Sequence, residues 1–157
     1  MKMMRTKKMK ICLCAVISFC MLACTKEKQP PSIDYSFKLS SDPVPSRVTA
    51  QADRSAKIRL YVDKKHYKAP VNYFFSYTSL EGQGRLSNSV GNMSYEAGKS
   101  YWFADSTTKV RDTLDFKYFP STFSFPSLTA PVKLNFIVKN SQGYSDTLEY
   151  KTTISLL

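Results

Sequence analysis

From residue 33 onward the apolar positions of the chain repeat with a period of two. Ile33, Tyr35, Phe37 and Leu39 alternate with Asp34, Ser36 and Lys38, and Ile58, Leu60 and Val62 alternate with Lys57, Arg59 and Asp63. The same rhythm runs through Val71, Tyr73, Phe75 and Tyr77, through Leu114, Phe116 and Tyr118, and through Val132, Leu134, Phe136 and Val138. It closes with Leu148, Tyr150, Thr152 and Ile154. A period of two puts alternate side chains on one face of a strand, and no stretch of this region carries the i, i+3, i+4, i+7 stripe of a helix. The abundance of Tyr, Phe, Val and Thr agrees with strands.

Turn formers separate these runs. Ser41-Asp42-Pro43-Val44-Pro45-Ser46 ends the first, Glu81-Gly82-Gln83-Gly84 follows the third, and Glu96-Ala97-Gly98-Lys99 precedes Tyr101-Trp102-Phe103. Asn140-Ser141-Gln142-Gly143 joins the last two, with a glycine free to adopt positive φ. Read as hairpin turns, these signals predict about seven to nine short strands. The expected fold is all-β, an antiparallel immunoglobulin-like sandwich over residues 33–157, with a partly open barrel as the alternative.

The first 32 residues obey a different pattern. Met1–Lys10 is basic, and Ile11–Ala23 is apolar and ends at Cys24 before the polar run Thr25-Lys26-Glu27-Lys28-Gln29-Pro30-Pro31. A basic segment followed by a short greasy one is the layout of an export signal. A helix of that apolar length rises ~20 Å, short of the ~30 Å hydrocarbon core, so a spanning helix fits poorly. The Met21-Leu22-Ala23-Cys24 end resembles a bacterial lipobox, in which a small residue precedes the cysteine that receives diacylglycerol. All four cysteines lie in residues 1–24, so the body holds no disulfide framework and cleavage before Cys24 leaves one cysteine at the new terminus. The expected organisation is a signal peptide over 1–23, a lipidated N-terminus with a polar tether over 24–32, and a sandwich beyond. Acyl chains on Cys24 would supply the membrane attachment. Thr25 after the cysteine points to the outer membrane, by resemblance to lipoprotein sorting in other bacteria.

Charge and composition narrow the function. The whole chain carries +11, but five of its basic residues precede residue 24 and no acid does, so the remainder carries +6. Lys57, Arg59, Lys64, Lys65 and Lys68 form the densest basic run and are the candidates for contact with an anionic surface. Asp53 and Asp63 dilute that run, and it lacks the interleaved aromatics of a single-strand groove, which argues against nucleic acid. A solvated face that deters edge aggregation is the plain alternative. The one histidine, His66, sits among lysines and would need three carboxylates to hold zinc, so no metal or cofactor is expected. No nucleophile motif or phosphate-cradling glycine loop occurs, so neither catalysis nor a small-molecule substrate is expected. Phe74, Trp102 and Phe119 fall on the opposite parity from their apolar neighbours. They are either covered or form an aromatic contact patch.

Several segments, taken in order, resemble the TraQ family of small lipoproteins encoded on conjugative transposons of Bacteroidetes. They are Tyr35-Ser36-Phe37-Lys38-Leu39 with the Pro43-Val44-Pro45 step, and Tyr73-Phe74-Phe75-Ser76-Tyr77 with Glu81-Gly82-Gln83-Gly84-Arg85-Leu86. Phe116-Lys117-Tyr118-Phe119 follows, and then Phe136 through Gly143 to Tyr150. The resemblance implies an immunoglobulin-like domain, a place in the mating apparatus, protein partners there, and no catalytic residues. A general surface lipoprotein that binds glycan or host protein through exposed aromatics is the rival expectation.

Overall fold

The computed structural model describes residues 34–65, 70–105 and 110–156. Ten strands follow one another: β1 (Phe37–Ser41), β2 (Arg47–Thr49), β3 (Ala56–Lys64), β4 (Asn72–Glu81), β5 (Gly84–Asn88), β6 (Ser94–Tyr95), β7 (Tyr101–Asp105), β8 (Arg111–Pro120), β9 (Thr129–Asn140) and β10 (Ser145–Ser155). Among the described residues no helix occurs. The strands form two five-stranded sheets, ordered β1-β3-β8-β5-β6 and β2-β10-β9-β4-β7. This is the expected all-β sandwich, and the partly open barrel is set aside because the two sheets are separate. Tyr35–Leu157 forms one compact unit. Cys24, the signal peptide and the tether lie outside the described residues.

The period of two does what it predicts. Ile58, Leu60 and Val62 of β3, Tyr73, Phe75 and Tyr77 of β4, and Val132, Leu134, Phe136 and Val138 of β9 all point into the core. Aromatic rings carry the contact between sheets. Phe116 of β8 meets Phe75 of β4 at 5.0 Å and stacks on Phe136 of β9 at 5.6 Å, both within the favourable range for ring pairs.

The connections differ from the sequence reading. Of the turns taken for hairpins, only the one at Asn140–Gly143 joins neighbours in one sheet, as β9 and β10. The Gly82–Gly84 turn instead carries the chain from β4 in one sheet to β5 in the other, and Gly98 lies on the return from β6 to β7. A sandwich needs such arches, and composition does not separate them from hairpins, because both want positive φ. Gly82 has φ +81°, and a Cβ there would stand 2.3 Å from the Pro131 carbonyl oxygen of β9. Only glycine fits that crossing.

The first two strands share one interrupted edge. β1 pairs antiparallel with β3 from Phe37↔Lys64 to Ser41↔Leu60. Continued in register, Pro43 would stand opposite Ile58 and Pro45 opposite Ala56. The ladder stops before these residues and the chain crosses to the other sheet. There β2 pairs with β10 in parallel, Thr153↔Arg47 to Ser155↔Thr49, an exception to the otherwise antiparallel pairing.

Candidate interaction surfaces

The two outer faces of the sandwich carry different chemistry. On the β3–β8 sheet the outward positions are charged, and the register brings opposite charges together. Arg59 faces Asp115 and donates from Nε at 2.6 Å; Asp63 faces Arg111 and the two form a bidentate pair. Lys117 reaches Asp53 at 2.7 Å. The guanidinium of Arg111 also lies 5.3 Å over the ring of Tyr61, and that of Arg85 lies 4.8 Å over Phe119. Hydrogen bonds from Lys117 and from Ser55 hold the Asp53 carboxyl down at about 2, and the Arg111 hydrogen bond lowers that of Asp63. The face is thus a lattice of cross-strand pairs. Among the described residues of β3 and β8 on this face, Lys57 is a cation that no carboxylate pairs with.

The five basic candidates separate accordingly. Lys57 and Arg59 project from the outer face of β3, and Lys65 is exposed just beyond its end. Lys68 lies outside the described residues, as does His66. Lys64 is a correction. It has the parity of Ile58, Leu60 and Val62, so its side chain turns into the sandwich and is fully buried, unable to meet an external anionic surface. Its ammonium pairs with Asp112 of β8, donates to the Asp105 carbonyl of β7 at 2.5 Å and lies 5.2 Å over the Tyr73 ring. One side chain thereby ties three strands from both sheets at one end of the barrel-less core. Asp112 shares the inward parity of Leu114, Phe116 and Tyr118. Both charges were legible as buried had the alternation been carried to the strand ends.

The three aromatic candidates do not form one patch. Phe74 and Trp102 are register partners on the outer face of the β4–β7 pair. Trp102 is 60 % exposed, and its indole N–H points at the Asn72 amide oxygen, 3.4 Å away. Phe119 belongs to the opposite sheet, partly covered beneath Arg85. Among the described residues no group of three His, Cys, Asp or Glu side chains gathers as a metal site would need.

With this geometry in place, comparison with known proteins adds the following. The family model described as TraQ conjugal transfer protein matches residues 7–117, from the basic N-terminal segment through most of β8. Among solved structures, a conjugative transposon lipoprotein from Bacteroides eggerthii DSM 20697 superposes with a TM-score of 0.56 at 19% identity, covering 76% of this chain and 98% of that one. A conjugate transposon protein from Bacteroides vulgatus superposes with a TM-score of 0.50 at 15% identity, covering 80% and 90%. At such identities these likenesses establish the fold. No curated protein matches significantly.

Proposed function

The chain belongs to the TraQ conjugal transfer family, and from that premise we propose that it serves as a non-enzymatic accessory component of a conjugative transfer apparatus. In this reading, acyl groups on Cys24 hold it at the outer membrane and a polar tether carries the sandwich. The observation that carries the reading is the family match, which runs from residue 7 through seven complete strands and most of the eighth. The fold likeness to a conjugative transposon lipoprotein supports it. So does a surface built for contact rather than chemistry, with cross-strand charge pairs on one face and an exposed tryptophan on the other. Protein partners of the apparatus would meet its faces or strand edges.

The test is mating. Deleting the gene from its conjugative element should lower transfer frequency, and the wild-type copy should restore it. Cys24→Ser should leave the protein out of the membrane pellet and fail to restore transfer. Unchanged transfer after deletion would overturn the role, and a Cys24→Ser protein that still sediments with membranes would overturn the anchor. A second reading, a surface lipoprotein that stacks glycan or host protein on Trp102 and Phe74, draws on the exposure of that pair. Quenching or enhancement of Trp102 fluorescence by a soluble glycan, lost in Trp102→Ala, would favour it.

A further inference from the structure

Where β1 leaves β3, the sandwich is open at its side. β3 begins at Ala56, but β1 covers it only from Leu60 onward. Over Ala56–Arg59, β8 is the one strand paired with β3 among the described residues. The chain that would have continued the ladder, Pro43-Val44-Pro45, swings across to β2 and leaves a groove of about 440 Å³ beside the vacated edge. That volume lies within the ~300–1,000 Å³ range of ligand pockets.

The groove has an inside and an outside. Val44, Val48 and the ring of Tyr150 line its inner part, and Lys57 and Arg59 stand at its outer rim. Tyr150 is only 5 % exposed and lines the groove. Burial pushes its pKa up, so the hydroxyl stays protonated and able to donate. In the groove it can donate to a ligand acceptor in place of water. The two carboxylates on the rim are engaged: Asp42 accepts from the Tyr61 hydroxyl at 2.8 Å and Asp115 accepts from Arg59. Lys57 is left as the cation without a carboxylate.

We propose that the vacated edge of β3 at Ala56–Arg59 takes an extended peptide segment of a partner protein as an added strand, with apolar and acidic side chains in alternation. The geometry requires that alternation. A strand laid along this edge sends every second side chain inward, onto Val44, Val48 and Tyr150. It sends the others outward, beside Lys57 and Arg59. Backbone hydrogen bonds to the unclaimed edge supply affinity, and the alternating pockets supply selectivity. This inference rests on the reading of the chain as a partner-binding scaffold.

The test uses the full lipidated protein in detergent micelles and a fluorescein-labelled octapeptide of alternating Val and Glu. Its controls are an alternating Val and Lys peptide and a peptide with the four Val and four Glu in blocks. Anisotropy should show saturable binding of the Val–Glu alternation at least about tenfold tighter than of either control. Hydrogen exchange should slow over Ala56–Arg59 when that peptide is bound. Lys57→Glu, a change on the solvated face, should weaken the Val–Glu peptide by about tenfold and strengthen the Val–Lys peptide. Tyr150→Phe should weaken binding about threefold, the loss expected for one hydrogen bond. Equal affinity for the alternating and block peptides overturns the proposal. So does protection appearing on β7 near Trp102 instead, or a Lys57→Glu protein that binds as well as the wild type. Absence of binding because residues 25–33 or a second copy already fill the groove would appear as protection of Ala56–Arg59 in the unliganded protein, and overturns it too. These results are independent of mating frequency, so the groove can fail while the transfer role stands.

Discussion

Two of the ion pairs that join β3 to β8 differ in almost everything but their chemistry. Arg59–Asp115 sits on the outer face with side chains 51 % and 41 % exposed; Lys64–Asp112 sits inside with 0 % and 16 %. Arg59 and Lys64 are five positions apart along β3, an odd offset, so the pleat sends them to opposite faces. The outer pair lives in water, where the attraction is screened and each charge keeps its hydration without its partner. The inner pair has lost its water. Each of its charges depends on the other, and the ammonium depends also on the Asp105 carbonyl and the Tyr73 ring. The same residue types on the same two strands therefore serve a surface in one place and a structural tie in the other.

The largest expected effect breaks the inner pair. Lys64→Ala leaves Asp112 as a buried carboxylate without a cation and strips the Asp105 carbonyl of its donor. Uncompensated buried charge costs about 3–5 kcal/mol, a large share of the 5–15 kcal/mol typical of a domain. Urea denaturation should show the midpoint falling steeply with little change in slope. If Lys64→Ala unfolds within experimental error of wild type, the inner pair is not a structural tie. The next effect sharpens the point. Lys64→Met with Asp112→Leu removes both charges together and should recover most of the loss, because well-packed apolar side chains replace buried ion pairs at little net cost. Recovery should be incomplete, since the Asp105 carbonyl still lacks its donor.

Breaking the outer pair should matter far less. Arg59→Ala or Asp115→Ala should cost roughly a fifth or less of the Lys64→Ala loss, and the cost should shrink further in high salt. A loss that matches the inner pair, or one that salt leaves unchanged, would mean that the outer lattice is a cooperative network rather than a set of separate contacts.

This contrast marks how far the sequence could be read. Alternation located the strands and the core, and carried one step past Val62 it places Lys64 inside. It also placed Phe74 and Trp102 on the outer side of their strands. Which strands become neighbours is a different kind of information. Phe119 has outward parity too, yet it faces away on the other sheet. The turn at Gly82 had the composition of a hairpin and proved to be an arch, because glycine answers to local φ and to the nearby Pro131 carbonyl, not to the destination of the chain. The groove beside β3 was the least legible feature. Pro43 and Pro45 are plain in the sequence. That the chain leaves Ala56–Arg59 uncovered beside them emerges only once Ser41 is known to face Leu60.

The smallest effect lies at the rim of the outer lattice and is read with pH. Asp53 accepts hydrogen bonds from Lys117 at 2.7 Å, from the Ser55 hydroxyl and from the Ser55 amide, and these hold its carboxyl at about 2 instead of 3.8. A folded-state pKa below the unfolded value means that the native state favours the charged form. Its contribution is fully present above about 3.8 and is lost as pH falls from there through about 2. Asp53→Asn keeps an acceptor for Ser55 but removes the charge. Wild type should therefore be slightly the more stable at neutral pH. The gap between the two thermal midpoints should close as pH falls from about 4 to about 2, while the remaining carboxylates, Asp63 among them, still lower both curves. A gap that stays constant across that range would show that Asp53 contributes through its shape and Ser55 contacts alone, and that Lys117 gains nothing measurable from the pairing.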